Sequence, residues 1–138
     1  MSKVNMVYVG GPIDLADKET ITSRDVVHMH LNNDGITTYN PSGAFHYGGN
    51  GDHQLKTIND FALSVADVVL LIFKEKVMTI GTSIELQNAR TARRIIIVVS
   101  PWDVTPCYIK ALADHIFKTQ DEAVDFITNT MNNDNKMK

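Results

Sequence analysis

The chain has one cysteine, Cys107, in 138 residues. No internal disulfide can form, so the fold must rest on a packed core, and a reducing, cytoplasmic setting is expected. It also lacks any apolar run near the roughly 20 residues needed to span a bilayer, and the stretch after Met1 lacks a signal peptide's apolar segment. No membrane partner is expected. Basic excess is missing too: 13 Lys and Arg stand against 16 Asp and Glu, a net charge of −3. Duplex nucleic acid is held through many phosphate contacts, so no nucleic-acid partner is expected. Arg90, Arg93 and Arg94 do cluster, but at the end of a predicted helix, where cations offset the dipole. That exclusion does not reach small anions, because a few N–H groups can hold one phosphate. Metal-ligand spacing is absent. His28 and His30 lie two apart on a predicted helix and face apart, and His46 and His53 share a loop with no third ligand in register. Neither a metal nor a cofactor is expected. Cys107 has no flanking motif and reads as a small buried residue.

What is present suits one domain spanning residues 1–138, with an Asn/Lys tail expected to fray after about residue 131. The apolar content of 43% is ordinary for a globular chain. Val4 to Val9 reads as a buried strand ending at Gly10-Gly11-Pro12. Lys18 to Asn33 reads as a helix, Ile36 to Tyr39 as a strand and Pro41 to His53 as a glycine-rich loop. Leu55 to Ala66 reads as a helix and Val68 to Phe73 as a fully buried strand. Then come a helix over Thr82 to Arg93, a strand over Ile95 to Val99, and a short helix over Tyr108 to Ala113. A short strand over His115 to Lys118 and a helix over Glu122 to Met131 close the chain. Alternating strands and helices predict an α/β fold: a flavodoxin-like (Rossmann-like) three-layer sandwich around a five-stranded parallel sheet.

Ligands of open α/β sheets bind beyond the carboxyl ends of the strands. Those ends carry Tyr8-Val9-Gly10-Gly11-Pro12, Tyr39-Asn40-Pro41, the stretch Thr79-Ile80-Gly81-Thr82-Ser83-Ile84-Glu85, and Ser100-Pro101-Trp102. Glu85 has two readings. It is a carboxylate beside an anion-attracting helix N-terminus, or the second half of a capping box begun by Thr82. Gly10-Gly11 is a ligand contact or a tight turn; it lacks the G-x-G-x-x-G spacing of a dinucleotide site. Phe45 and Tyr47 either stack on a flat base or cover the core's edge.

Four pieces together resemble a known family. They are Val7-Tyr8-Val9-Gly10-Gly11-Pro12, Thr37-Thr38-Tyr39-Asn40, Ala66-Asp67-Val68-Val69 and Gly81-Thr82-Ser83-Ile84-Glu85. In this order, over about residues 4 to 100, the chain resembles the nucleoside 2-deoxyribosyltransferase superfamily. Within it, the chain is most similar to the nucleoside 5′-monophosphate N-glycosidases, CMP N-glycosidases among them.

The resemblance implies that Glu85 is a nucleophile toward the sugar's anomeric carbon and that Tyr8 orients it. It implies a nucleotide or nucleoside in contact with Gly10, Gly11, Pro12, Ile13, Asp14, Asn40, Phe45, Thr79, Gly81 and Thr82. A deoxyribosyltransferase carries an aspartate six residues before the nucleophile, which would repel phosphate. Thr79 stands there, which favours a nucleoside 5′-monophosphate. Two departures stand out. The family's acid/base aspartate falls at Asn59, with Asp60 one place, about 100° of helix, away. Asp14 replaces a phosphate-holding arginine; it could instead accept from an exocyclic amino group, and Lys18 or Arg24 could supply positive charge. The resemblance further implies a homodimer or higher homo-oligomer with a shared active site. A base-exchanging transferase and a non-catalytic nucleotide-binding module are the alternatives.

Overall fold

The computed structural model describes residues 4–11, 18–39, 51–76 and 78–131, with the side chains of 18–23 and 51–55 left aside. Five parallel strands, β1 (Met6–Gly10), β2 (Thr37–Tyr39), β3 (Val68–Ile72), β4 (Ile95–Val99) and β5 (His115–Phe117), form one sheet in the order β2-β1-β3-β4-β5. This is the expected flavodoxin-like order. Its switch point falls between β1 and β3, where the chain's direction of winding reverses. Tyr8 pairs with Tyr39 on one side and Val69 on the other, and Gly10 pairs with Leu71.

Side chains alternate across a strand, and here each face meets its own helices. Val7, Val9, Leu70, Ile72, Ile97 and Val99 pack with Val27 and Leu31 of α1 (Lys18–Asn33) and Val124 of α5 (Gln120–Asp125). Tyr8, Val69, Leu71, Ile96 and Val98 pack with Ala62 and Leu63 of α2 (Gly51–Val65). Leu86 and Ala89 of α3 (Ile80–Thr91) and Ile109 of α4 (Cys107–Leu112) complete that second layer. Because both faces are covered, every residue of β3 is buried, which is why its sequence is an unbroken apolar run. The parity of β1 has a consequence for function: it turns Tyr8 toward α3.

Three elements differ from expectation. Helix α2 begins at Gly51, inside the stretch read as a loop to His53. Helix α3 begins at Ile80, so Gly81 is its second residue and not part of a preceding loop. The closing helix begins at Gln120 and widens to a π-helical turn over Phe126–Met131. There the Thr128 hydroxyl donates to the Asp125 carbonyl at 3.5 Å, a side-chain bond that competes with the helical ladder.

Candidate active site

Helix α3 starts where it does because Thr79 is its N-cap. The Thr79 hydroxyl oxygen accepts from the Thr82 amide at 3.2 Å, and the hydroxyl donates to Thr82 Oγ1 at 3.0 Å. Such a cap is worth about 1 kcal/mol. The capping box expected to begin at Thr82 is therefore displaced by one turn. Thr82 is itself the cap's partner and is buried. Glu85, a further turn along, has no capping duty. The first-turn amides of Ile80 and Gly81 have no acceptor within the helix, as at any helix start. A side chain at Gly81 would meet nothing within 4 Å, so the fold does not demand glycine there.

The Glu85 carboxylate accepts a short hydrogen bond from the Tyr8 hydroxyl. Gly10 makes this approach feasible. A β-carbon on Gly10 would lie 2.6 Å from Glu85 Oε2 and 2.8 Å from a ring carbon of Tyr8. Tyr8 is fully buried. Burial first, then the charge of Glu85 and the hydrogen bond to it, push its hydroxyl far above the ordinary tyrosine range. Tyr8 is thus a permanent donor. One consequence is measurable. Below about pH 10 the hydroxyl keeps its proton folded or unfolded; above it only the unfolded chain releases the proton. Stability should therefore fall as pH rises beyond about 10, by about 1.4 kcal/mol per pH unit for this one group. Urea midpoints of wild type and Tyr8→Phe between pH 9 and 11 should show the shallower decline in the variant. Equal slopes would mean that the buried hydroxyl ionises freely.

Tyr39 stacks on Tyr8 with ring centres 5.6 Å apart and donates to Asn59 Oδ1 at 2.6 Å. The neighbouring Asp60 pairs with Lys56 at 2.6 Å and accepts from Asn88 of α3 at 3.4 Å. Asn88 lies one turn beyond Glu85. The Asp60 charge also acts on Tyr8. The side chains of Asn59 and Asp60 thus address different partners: Asn59 is engaged by β2, and Asp60 faces α3. Asp67, within a piece that carried the resemblance, accepts from the amides of Asn5 and Met6 at 2.8 and 3.0 Å and ties β1 to β3.

Arg24 of α1 is 1% exposed. Its guanidinium donates to the Ile72 carbonyl at 3.3 Å and would lie 2.9 Å from a β-carbon on Gly11. Burial lowers its proton affinity, while the negative charge of Glu85 raises it. Arg24 also lines a cavity of about 210 Å³ together with Phe73, Lys74, Pro101 and Lys118. A larger, open hollow of about 600 Å³ among Arg90, Arg93, Arg94 and His115 lies at the amino edge of β4, away from Glu85.

Pro12, Ile13, Asp14, Asn40 and Phe45 lie outside the described residues, as do Tyr47 and His46. Among the described residues no group of three or more His, Cys, Asp or Glu could hold a metal ion. His28 ties α1 to β2 through Thr38 Oγ1 at 2.7 Å. Cys107, expected to be buried, is exposed: it opens α4 directly after Pro106, at the solvent-facing start of a short helix. The Tyr39–Asn59 and Asp60–Asn88 contacts join elements far apart in sequence, and no local pattern marks them. Arg24 did leave a signal. It falls on the same helical face as Val27 and Leu31, three and seven residues on, both buried.

No family model matches the chain, and no curated protein does. Solved structures do share the fold. The 2-deoxyribosyltransferase of Bacillus psychrosaccharolyticus superposes with a TM-score of 0.74 at 15% identity, over 87% of this chain and 90% of that one. The corresponding enzyme of Leishmania mexicana gives 0.68 at 14% identity, over 91% and 99%. The CMP N-glycosidase BcmB of Clostridium botulinum gives 0.63 at 13% identity, over 88% and 96%. No described helix is long and apolar enough to cross a membrane.

Proposed function

We propose that this chain is an N-glycosidase acting on a nucleoside 5′-monophosphate. The observation that carries the reading is Glu85: a carboxylate relieved of any capping role and held by Tyr8 at the switch point of the sheet. The fold shared with a CMP N-glycosidase and with 2-deoxyribosyltransferases supports the same class of chemistry. In the proposed reaction a Glu85 oxygen attacks the anomeric carbon. The bond to the base nitrogen breaks, the bonding pair leaves with the base, and a proton is delivered to that nitrogen. Water then attacks the glycosyl ester, its hydroxyl joins the sugar carbon, and Glu85 is released as carboxylate. This reading assigns the exchange of these protons to Asp60, which meets Asn88 of α3, rather than to Asn59, which accepts from Tyr39. The helix start offers the first-turn amides of Ile80 and Gly81 to the phosphate, with Thr79 capping the turn that presents them. The products are free base and a (deoxy)ribose 5-phosphate.

Incubation with the common ribo- and deoxyribonucleoside 5′-monophosphates, followed by chromatography for free base, tests this. Release from at least one is expected; folded protein that releases base from none refutes the reading. A second reading has its own support in the two deoxyribosyltransferase structures that share the fold. In it the glycosyl ester is attacked by another base, and a labelled base would exchange into nucleoside faster than water is used. We also propose that the active chain is a homo-oligomer, as the resemblance implies; Phe61 on α2 and Ile80 on α3, 69% and 82% exposed, are apolar side chains that a second copy could cover.

A further inference from the structure

We propose that Arg24 is a positioning residue acting through Glu85: a buried counter-charge, set behind the Gly10-Gly11 turn, that keeps the carboxylate ionised when an anionic substrate is bound. This rests on the nucleophilic role given to Glu85 above.

The two adjacent glycines are the key. A β-carbon at Gly10 would run into the Glu85 carboxylate at 2.6 Å, and one at Gly11 into the Arg24 guanidinium at 2.9 Å. Consecutive α-carbons are about 3.8 Å apart, and α1 packs through Val27 and Leu31 on one face of the sheet while α3 packs through Leu86 and Ala89 on the other. A negative group from α3 and a positive group from α1 therefore flank one strand end, with only backbone between them. The Ile72 carbonyl fixes the guanidinium in that place. Among the described residues, Glu85 is the carboxylate whose negative charge acts on Arg24. Coulombic attraction is mutual, so Arg24 must favour the ionised form of Glu85 equally.

The need for such a charge follows from the surroundings. Among the described residues near Glu85 are Tyr8 from β1, with Tyr39 of β2 stacked on it, and Asp60 of α2, which meets Asn88 one turn beyond Glu85 and pairs with Lys56. Tyr8 keeps its proton and neutralises nothing. Asp60 brings no positive charge, and Lys56 is already paired with it. A phosphate dianion entering the cleft would add like charge and push a proton onto Glu85, and a protonated carboxyl is not a nucleophile. Arg24 offsets that push from the far side of β1, without touching the substrate.

The test is direct titration of Glu85 by NMR in protein labelled with ¹³C-glutamate, its signal assigned by Glu85→Gln. Arg24→Gln keeps a donor for Ile72 and loses the charge; Arg24→Met is a second uncharged variant that leaves no buried donor; Arg24→Lys keeps the charge. Thermal melts establish which are folded. The Glu85 midpoint should rise by about one pH unit in a folded uncharged variant and return toward wild type in Arg24→Lys. The acid limb of kcat/KM for base release should move up by the same amount. An unmoved Glu85 midpoint in a folded uncharged variant overturns the inference. So does a loss confined to KM for phosphorylated substrates, which would make Arg24 a phosphate ligand in the cavity it shares with Lys74 and Lys118. The titration needs no turnover, so it decides the role of Arg24 even if no nucleotide is cleaved.

Discussion

Glu85→Gln should release base about a thousandfold more slowly than wild type, or slower, while melting at nearly the same temperature. The amide cannot form the glycosyl ester, so the covalent step is lost outright. The fold should hold, because Thr79 and not Glu85 closes the start of α3. The amide oxygen can still accept from the Tyr8 hydroxyl, so that buried donor keeps a partner. Glu85→Ala should be equally inactive but should leave Tyr8 without its acceptor, at a cost of about 1–3 kcal/mol. Single-turnover measurement of base release together with thermal melts checks both. A Gln variant with a tenth or more of wild-type activity would remove Glu85 from the reaction.

Alanine at the two glycines of the first turn should separate activity from stability. At Gly10 the added methyl meets the far end of Glu85, which can swing away, and a ring carbon of the buried Tyr8, which must shift by a few tenths of an ångström. Stability should fall by about 1–2 kcal/mol, and the carboxylate moves by an ångström or so, a displacement that costs on the order of 100-fold in rate. At Gly11 the methyl meets the Ile72 backbone, oxygen and nitrogen both, and φ is +128°. Backbone cannot swing aside, and an L side chain is strained at that angle. Gly11→Ala should lose about 3 kcal/mol or more, a drop in Tm of roughly 10 °C. Urea melts and base-release rates on the same preparations test the pair. Equal stability losses at both positions would contradict the geometry.

The fold was largely legible because its signals are local or periodic. The unbroken apolar runs of Val68 to Phe73 and Ile95 to Val99 could only be strands covered on both faces, and the alternation with helices then required parallel pairing. The register of a helix start is a finer matter. Thr79 and Thr82 are both acceptable caps by residue type, and three-residue spacing fits each in turn. Only packing chose Thr79, by burying Thr82 against the sheet and leaving Glu85 to Tyr8. Cys107 was misjudged for a related reason. Its apolar character says nothing about which side of a six-residue helix faces water.

Sequence by itself determined the strand order class, the edge on which polar groups gather, and the identities of Glu85, Tyr8, Gly10 and Gly11 as candidates. The alternation of elements and the polar edge follow from the two- and 3.6-residue periods, and the candidates follow from ordered motifs that resemble a known family, all of which are properties of neighbours along the chain. Tertiary structure alone decided that Glu85 meets Tyr8, that Asn59 answers Tyr39 while Asp60 turns to Asn88, and that Arg24 lies buried behind Gly11. Those relations join residues 13 to 77 positions apart, and they exist only once burial has fixed which face of each helix and strand points inward.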